Sequence, residues 1–119
     1  MYTVRGFVRK KDGSIHTDSK TKIITVLVYL NNDWDDDGGR LRILRNGTDL
    51  ENYTDEVSPV NGTLLVFRRS DNSWHGHHPH EGQRRAIQMN WVLNDDVVRT
   101  EQGRHFVSTY LKWFKNLFQ

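Results

Sequence analysis

The chain has 119 residues, room for one domain (1–119) with a modest core. Its net charge of +2 gives no case for a nucleic-acid partner, and the Arg68-Arg69 and Arg84-Arg85 pairs are too short to change that. With no cysteine there is no disulfide framework or thiolate metal site, and no apolar run long enough for a transmembrane segment. Met1-Tyr2-Thr3-Val4-Arg5 lacks a signal-peptide core, so a soluble, cytoplasmic protein is expected.

The first predicted strand covers Tyr2–Arg9, and a turn at Asp12-Gly13 leads to a second over Ser14–Asp18. Lys22–Leu30 carries apolar residues on both faces, Ile23 and Leu27 on one and Ile24, Val26 and Val28 on the other. It should be a central strand covered on both sides. Further strands are predicted over Leu41–Leu44, Val57–Val60, Thr63–Arg68, Trp74–His77 and Arg84–Leu93. Turns at Gly38-Gly39, Asn46-Gly47, Asn61-Gly62 and Gly82 punctuate them. Short strands at this spacing predict a mainly β sandwich or barrel. In the tail, Phe106, Val107, Tyr110, Leu111, Phe114, Leu117 and Phe118 recur at three- and four-residue spacing. That predicts an amphipathic C-terminal helix over about residues 102–118, packed on the sheet, with membrane-surface docking or dimerisation as the alternative.

The chemistry concentrates in two fragments. His16-Thr17-Asp18 offers two ligands that would share a strand face, and His75 could complete the set from another strand. Two His and one carboxylate can hold one face of Fe(II) and leave the opposite positions open for a cosubstrate and O2. Because Asp18 fills a position that a halide would need, hydroxylation is favoured over halogenation. A 2-oxo dicarboxylate would also need a cation at its far end, and arginine offers a carboxylate two parallel donors. Along Arg84–Asn90 one face carries Arg84, Ala86, Gln88 and Asn90, polar enough to line a cavity. Arg84 is therefore the expected anchor, with Arg85 on the opposite face as the alternative. Tyr29, on the same face as Thr25 and Leu27, could add a hydrogen bond to the same carboxylate, and Thr25 joins it as a cosubstrate-binding candidate. His77, His78 and His80, although close to His75, are not assigned as ligands. Asp33-Trp34-Asp35-Asp36-Asp37 reads as a solvated acidic loop, because it lacks an EF-hand's later Glu.

These residues stand in a familiar order. His16-Thr17-Asp18, Thr25-Val26-Leu27-Val28-Tyr29-Leu30-Asn31, Asp33-Trp34, Gly38-Gly39-Arg40-Leu41, Pro59-Val60-Asn61-Gly62-Thr63, Ser70-Asp71, His75, Pro79 and Arg84-Arg85-Ala86-Ile87 together resemble the 2-oxoglutarate/Fe(II)-dependent dioxygenases. The resemblance is to the prolyl 4-hydroxylase-like branch, and within it to the Egl-nine type prolyl hydroxylases. It covers about Ser14 to Val92. It implies a double-stranded β-helix (jelly-roll, cupin-like) core. It also implies iron on His16, Asp18 and His75, with 2-oxoglutarate on Arg84 and Tyr29. The implied reaction consumes O2, releases succinate and CO2, and hydroxylates an unactivated C–H; ascorbate is a further candidate cofactor. Relatives usually carry a longer N-terminal region than the short stretch before His16. The expectation is either a minimal or truncated core, or cover from the C-terminal helix and a second subunit in a homodimer.

The substrate expected from the resemblance is a prolyl or other residue in a protein or peptide, or a small molecule. Two other classes compete. One is a non-catalytic jelly-roll module that binds or senses a metal or 2-oxo acid, and the other is a calcium- or carbohydrate-binding β-sandwich built on the acidic loop.

Overall fold

The computed structural model describes residues 1–94 together with Arg99. Seven strands occupy them: β1 (Tyr2–Val8), β2 (Lys22–Tyr29), β3 (Leu41–Leu44), β4 (Tyr53–Val57), β5 (Leu64–Arg68), β6 (His75–Gly76) and β7 (Gly82–Val92). They form two antiparallel sheets, one of order β1-β7-β2-β5 and one of order β4-β3-β6. The protein is thus mainly β, and no helix among the described residues is long and apolar enough to cross a membrane.

The β-branched run of β2 places it inside the larger sheet, where apolar pairs hold it on both sides. Val26 faces Val66 of β5 and Met89 of β7, and Val28 faces Leu64 and Ile87. The alternate residues Thr25, Leu27 and Tyr29 line a cavity shared with the second sheet. On the outer face Val26 is buried and Ile24 and Val28 are half-buried. The helix expected over about residues 102–118 lies outside the described residues.

Chain order alternates between the sheets. β1 belongs to the larger sheet, and His16 joins the smaller one through a single antiparallel bridge to His75. β2 returns to the larger sheet, β3 and β4 to the smaller, and β5, β6 and β7 alternate again. Segments distant in sequence therefore meet between the sheets.

Two predicted strands change. Ser14–Asp18 is not a strand: only His16 pairs, giving and accepting one backbone bond with His75 at 3.0 Å each. A tight turn at Gly13 and another closed by Lys22 N–H donating to the Ser19 carbonyl (3.1 Å) leave no length for more. The strand expected at Val57–Val60 lies instead at Tyr53–Val57. Pro59 has no N–H to give a ladder, and Asn31 takes over this stretch. Its side-chain amide donates to the Pro59 carbonyl (2.6 Å), and its own carbonyl accepts from Asn61 N–H (2.7 Å).

Among the described residues seven apolar side chains are buried, Val8, Val26, Tyr29, Leu41, Leu44, Pro59 and Ala86. Seven polar or charged ones are buried with them: Asp18, Thr25, Asn31, His75, His77, Arg84 and Asn90. Charged residues are rarely buried without a purpose, so this interior is built around a site rather than as a plain core.

Gly13 sets the approach to His16. Its φ is +88°, and a Cβ there would lie 2.1 Å from the His77 ring. Gly13→Ala should therefore destabilise the domain by about 1–3 kcal/mol, read as a lower midpoint in urea unfolding.

Candidate metal centre

His16 and His75 face each other across their bridge, with ring centroids 4.4 Å apart. Asp18 follows two residues after His16. Its backbone carbonyl is held by Arg69 Nε at 3.0 Å. Asp18 Oδ1 lies 3.7 Å from His16 Nε2 and 3.5 Å from His75 Nε2. Each of the three offers one ligand atom, and these atoms lie within 4.8 Å of one another. Among the described residues, three or more metal-ligating side chains gather nowhere else.

The tautomers suit a metal. His16 Nδ1 lies 2.8 Å from the Ser14 carbonyl and His75 Nδ1 lies 2.9 Å from the Ser73 carbonyl. A carbonyl can only accept, so each Nδ1 carries a proton, and when the ring is neutral its Nε2 is left with a lone pair for a metal. Phe67 packs on the His75 ring at 4.8 Å between centroids and limits its rotation. Two neutral imidazole nitrogens and one carboxylate oxygen on a single side of a shared point are the donor set of a facial Fe(II) site.

Burial pushes the Asp18 carboxyl up, but the donors His16, His75 and Thr25 outweigh it and hold the group well below its usual range. Asp18 therefore stays ionised and attracts a cation. In return, Asp18 raises the His16 pKa above 6.5, against the lowering effect of partial burial.

The same cavity, of about 270 Å3, continues to Arg84 and Tyr29. Arg84 is buried, while Arg85, on the opposite strand face, is exposed. Arg84 Nε donates to the Gly39 carbonyl (2.8 Å), and an Nη2 donor lies 3.4 Å from the Tyr29 hydroxyl. Among the described residues no carboxylate pairs with Arg84. Burial lowers its pKa, which the neighbouring Tyr29 partly offsets. Burial likewise raises the Tyr29 phenol, with Arg84 pulling the other way, so the hydroxyl stays protonated and able to donate.

Thr25 also lines this cavity, but its hydroxyl is engaged: it donates to Asp18 Oδ2 at 2.5 Å. The donor behind it, Asn90, was on the predicted cavity face of its strand. What the sequence lacked was register, since Thr25 and Asn90 are cross-strand partners.

The remaining histidines have other partners. His77 packs against Gly13, with Nδ1 2.8 Å from the His78 carbonyl. His78 Nε2 meets Glu51 (2.7 Å), and His80 Nδ1 meets Asp36 (2.5 Å). The acidic loop is thus tied to His80, and Asp36 also accepts from Gly38 N–H (2.9 Å).

Comparison with known proteins gives two kinds of result. A family model described as the 2OG-Fe(II) oxygenase superfamily matches residues 2–93. No match is found among curated proteins. Among solved structures, a Pseudomonas putida prolyl-4-hydroxylase is similar with a TM-score of 0.61 and 25% sequence identity, over 79% of this chain and 53% of that one. The chain thus spans about half the length of that enzyme. A chain from Bacillus endospore appendages, described as disulfide-linked pili, aligns over 79% of this chain and 87% of that one. At a TM-score of 0.43 and 11% identity, that likeness carries no argument.

A metal on Nε2 must displace any proton there, and Asp18 holds the His16 proton more tightly than usual. Affinity for Mn(II), followed by the EPR signal of the free ion, should therefore fall steadily as pH drops from about 7.5 to about 5.5. The His16–Asp18 attraction stabilises the metal-free fold in the opposite sense: it is fully present below pH 6.5 and is lost as pH rises through the raised value. Affinity that does not vary with pH would remove His16 from the ligand set.

Proposed function

Because the chain belongs to the 2OG-Fe(II) oxygenase superfamily, we propose that it is an Fe(II)- and 2-oxoglutarate-dependent dioxygenase that hydroxylates an unactivated C–H. Succinate and CO2 are the coproducts. The alternation of segments between two sheets fits a double-stranded β-helix, with the second strand reduced to the His16 bridge.

The observation that carries this reading is Arg84. A buried guanidinium without a counter-ion is costly, and it lies in one cavity with a His/Asp/His cluster. A dicarboxylate with a keto acid at one end satisfies both ends of that cavity at once. One carboxylate would neutralise Arg84 and accept from Tyr29 Oη, and the keto-acid end would supply the group that chelates the metal. Thr25 then acts through Asp18 rather than on the cosubstrate.

His16, Asp18 and His75 would hold the iron, which with O2 and the 2-oxo acid supplies an oxidant strong enough for a C–H bond. The protein's part is to bind and orient. The two His keep their Nδ1 protons on backbone carbonyls throughout. Asp18 offsets the metal's charge, and Arg84 and Tyr29 fix the direction from which the cosubstrate enters. The neighbouring prolyl-4-hydroxylase supports a prolyl or other peptidyl substrate, and the Egl-nine-like motifs lean the same way; a small-molecule substrate is the alternative.

The decisive experiment needs no substrate. Fe(II) and then 2-oxoglutarate, added without oxygen, should give the weak visible charge-transfer band of a chelated keto acid, and His75→Ala should abolish it. Fe(II) binding without a band would leave a non-catalytic metal-binding module.

Arg84→Ala should raise the 2-oxoglutarate concentration needed for half-maximal band intensity by about 30-fold or more. Exposed Arg85→Ala should leave it within about twofold. The reverse order would place the anchor on the other strand face.

A further inference from the structure

The carboxylate of Asp18 sits at the end of a buried line of donors that begins on β7. A carboxylate that ligates a cation is ionised and only accepts hydrogen bonds, so Thr25 must spend its one hydroxyl proton on Asp18 Oδ2. The Thr25 oxygen can then only accept, and Asn90 Nδ2 donates to it at 2.8 Å. That orients the Asn90 amide and leaves its Oδ1 to accept from Gln88 Nε2 at 3.2 Å. Every bond therefore points the same way: Gln88 to Asn90, Asn90 to Thr25, Thr25 to Asp18. Thr25 and Asn90 are 2% and 3% exposed, so water does not compete for these bonds. They are also cross-strand partners in the middle of the larger sheet, which fixes their spacing.

The terminal torsion of an aspartate is soft, with two nearly equivalent oxygens. With Oδ2 fixed on Thr25, Oδ1 alone faces the two imidazoles, at 3.7 and 3.5 Å. From this we infer that Asn90 is a positioning residue for the metal centre. By orienting the Thr25 hydroxyl it holds Asp18 as a one-oxygen ligand, although Asn90 itself touches neither metal nor cosubstrate. The inference rests on the metal-site reading above. Gln88 lines the cavity, so the line of donors begins at the cavity wall.

The test measures metal affinity in the full chain, with Mn(II) as probe and its EPR signal as readout. Asn90→Leu and Thr25→Val, which keep approximate shape and remove the bonds, should each weaken Mn(II) binding about 10- to 100-fold. Thr25→Ser, which keeps the hydroxyl, should stay close to wild type. The double variant should be no weaker than the worse single one, because both break the same line. A merely structural Asn90 would lower the melting temperature of the metal-free protein and leave Mn(II) affinity unchanged; that result overturns the inference, as do losses that multiply in the double variant. A wild-type chain that binds no Mn(II) would overturn the metal reading itself, so the two failures are distinct. A second readout uses the unaltered protein. On addition of Zn(II), the Asn90 side-chain amide protons should shift in the NMR spectrum, whereas those of Asn61, paired with Asn32 on the surface, should not. An Asn90 amide that ignores the metal also overturns the inference.

Discussion

Two backbone hydrogen bonds between His16 and His75 hold the candidate centre together. Each residue donates to the other at 3.0 Å, and beside them His77 N–H donates to the Gly13 carbonyl at 2.8 Å. Backbone bonds of this kind tolerate little displacement, so the facing rings inherit a fixed separation. The Nδ1 bonds to Ser14 and Ser73 come from the same two strands of chain, two residues earlier in each case. Local backbone geometry thus sets ring position and tautomer together.

Around that bridge the interior is more polar than a domain this size can easily afford. Among the described residues the buried polar side chains other than Arg84 have partners within the protein, and the one buried atom left over is His80 Nε2. Asn31 shows the structural form of this, since its side chain ties the β2 exit to Pro59 and to β7 through Arg85. Arg84 is the exception: one carbonyl and one phenol accept from a group that calls for an anion. The proposed dicarboxylate would supply that anion.

Much of this is legible in the sequence, and the illegible part has a common cause. Alternation along β7 separates Arg84 from Arg85 without any structure, because strand periodicity depends on neighbours in sequence alone. The hydrophobic run of β2 announces a central strand for the same reason. By contrast, Ser14–Asp18 looks like a strand by composition, yet only His16 pairs; the turns on either side decide that. Tyr53–Val57 was displaced by three to four residues because Pro59 and the Asn31 side chain, 28 positions away, set where pairing stops. Thr25 is the sharpest case. Its face could be read from the sequence, but its partner depends on the register of β2 against β7, which no local pattern encodes.

The place of β7 in its sheet has a consequence for how the domain is made. The last of the described strands to be synthesised lies between the first two strands of its sheet, not at an edge. Until it arrives, β1 and β2 have no common neighbour, and Thr25 has no Asn90. A nascent chain must therefore keep two unpaired strand borders apart from other chains while the ribosome finishes the segment that joins them. Loop closure over most of the domain's length is left to that late step, so assembly is slow compared with a helical domain of equal size. Iron supplied too early would meet two histidines and an aspartate not yet held in place.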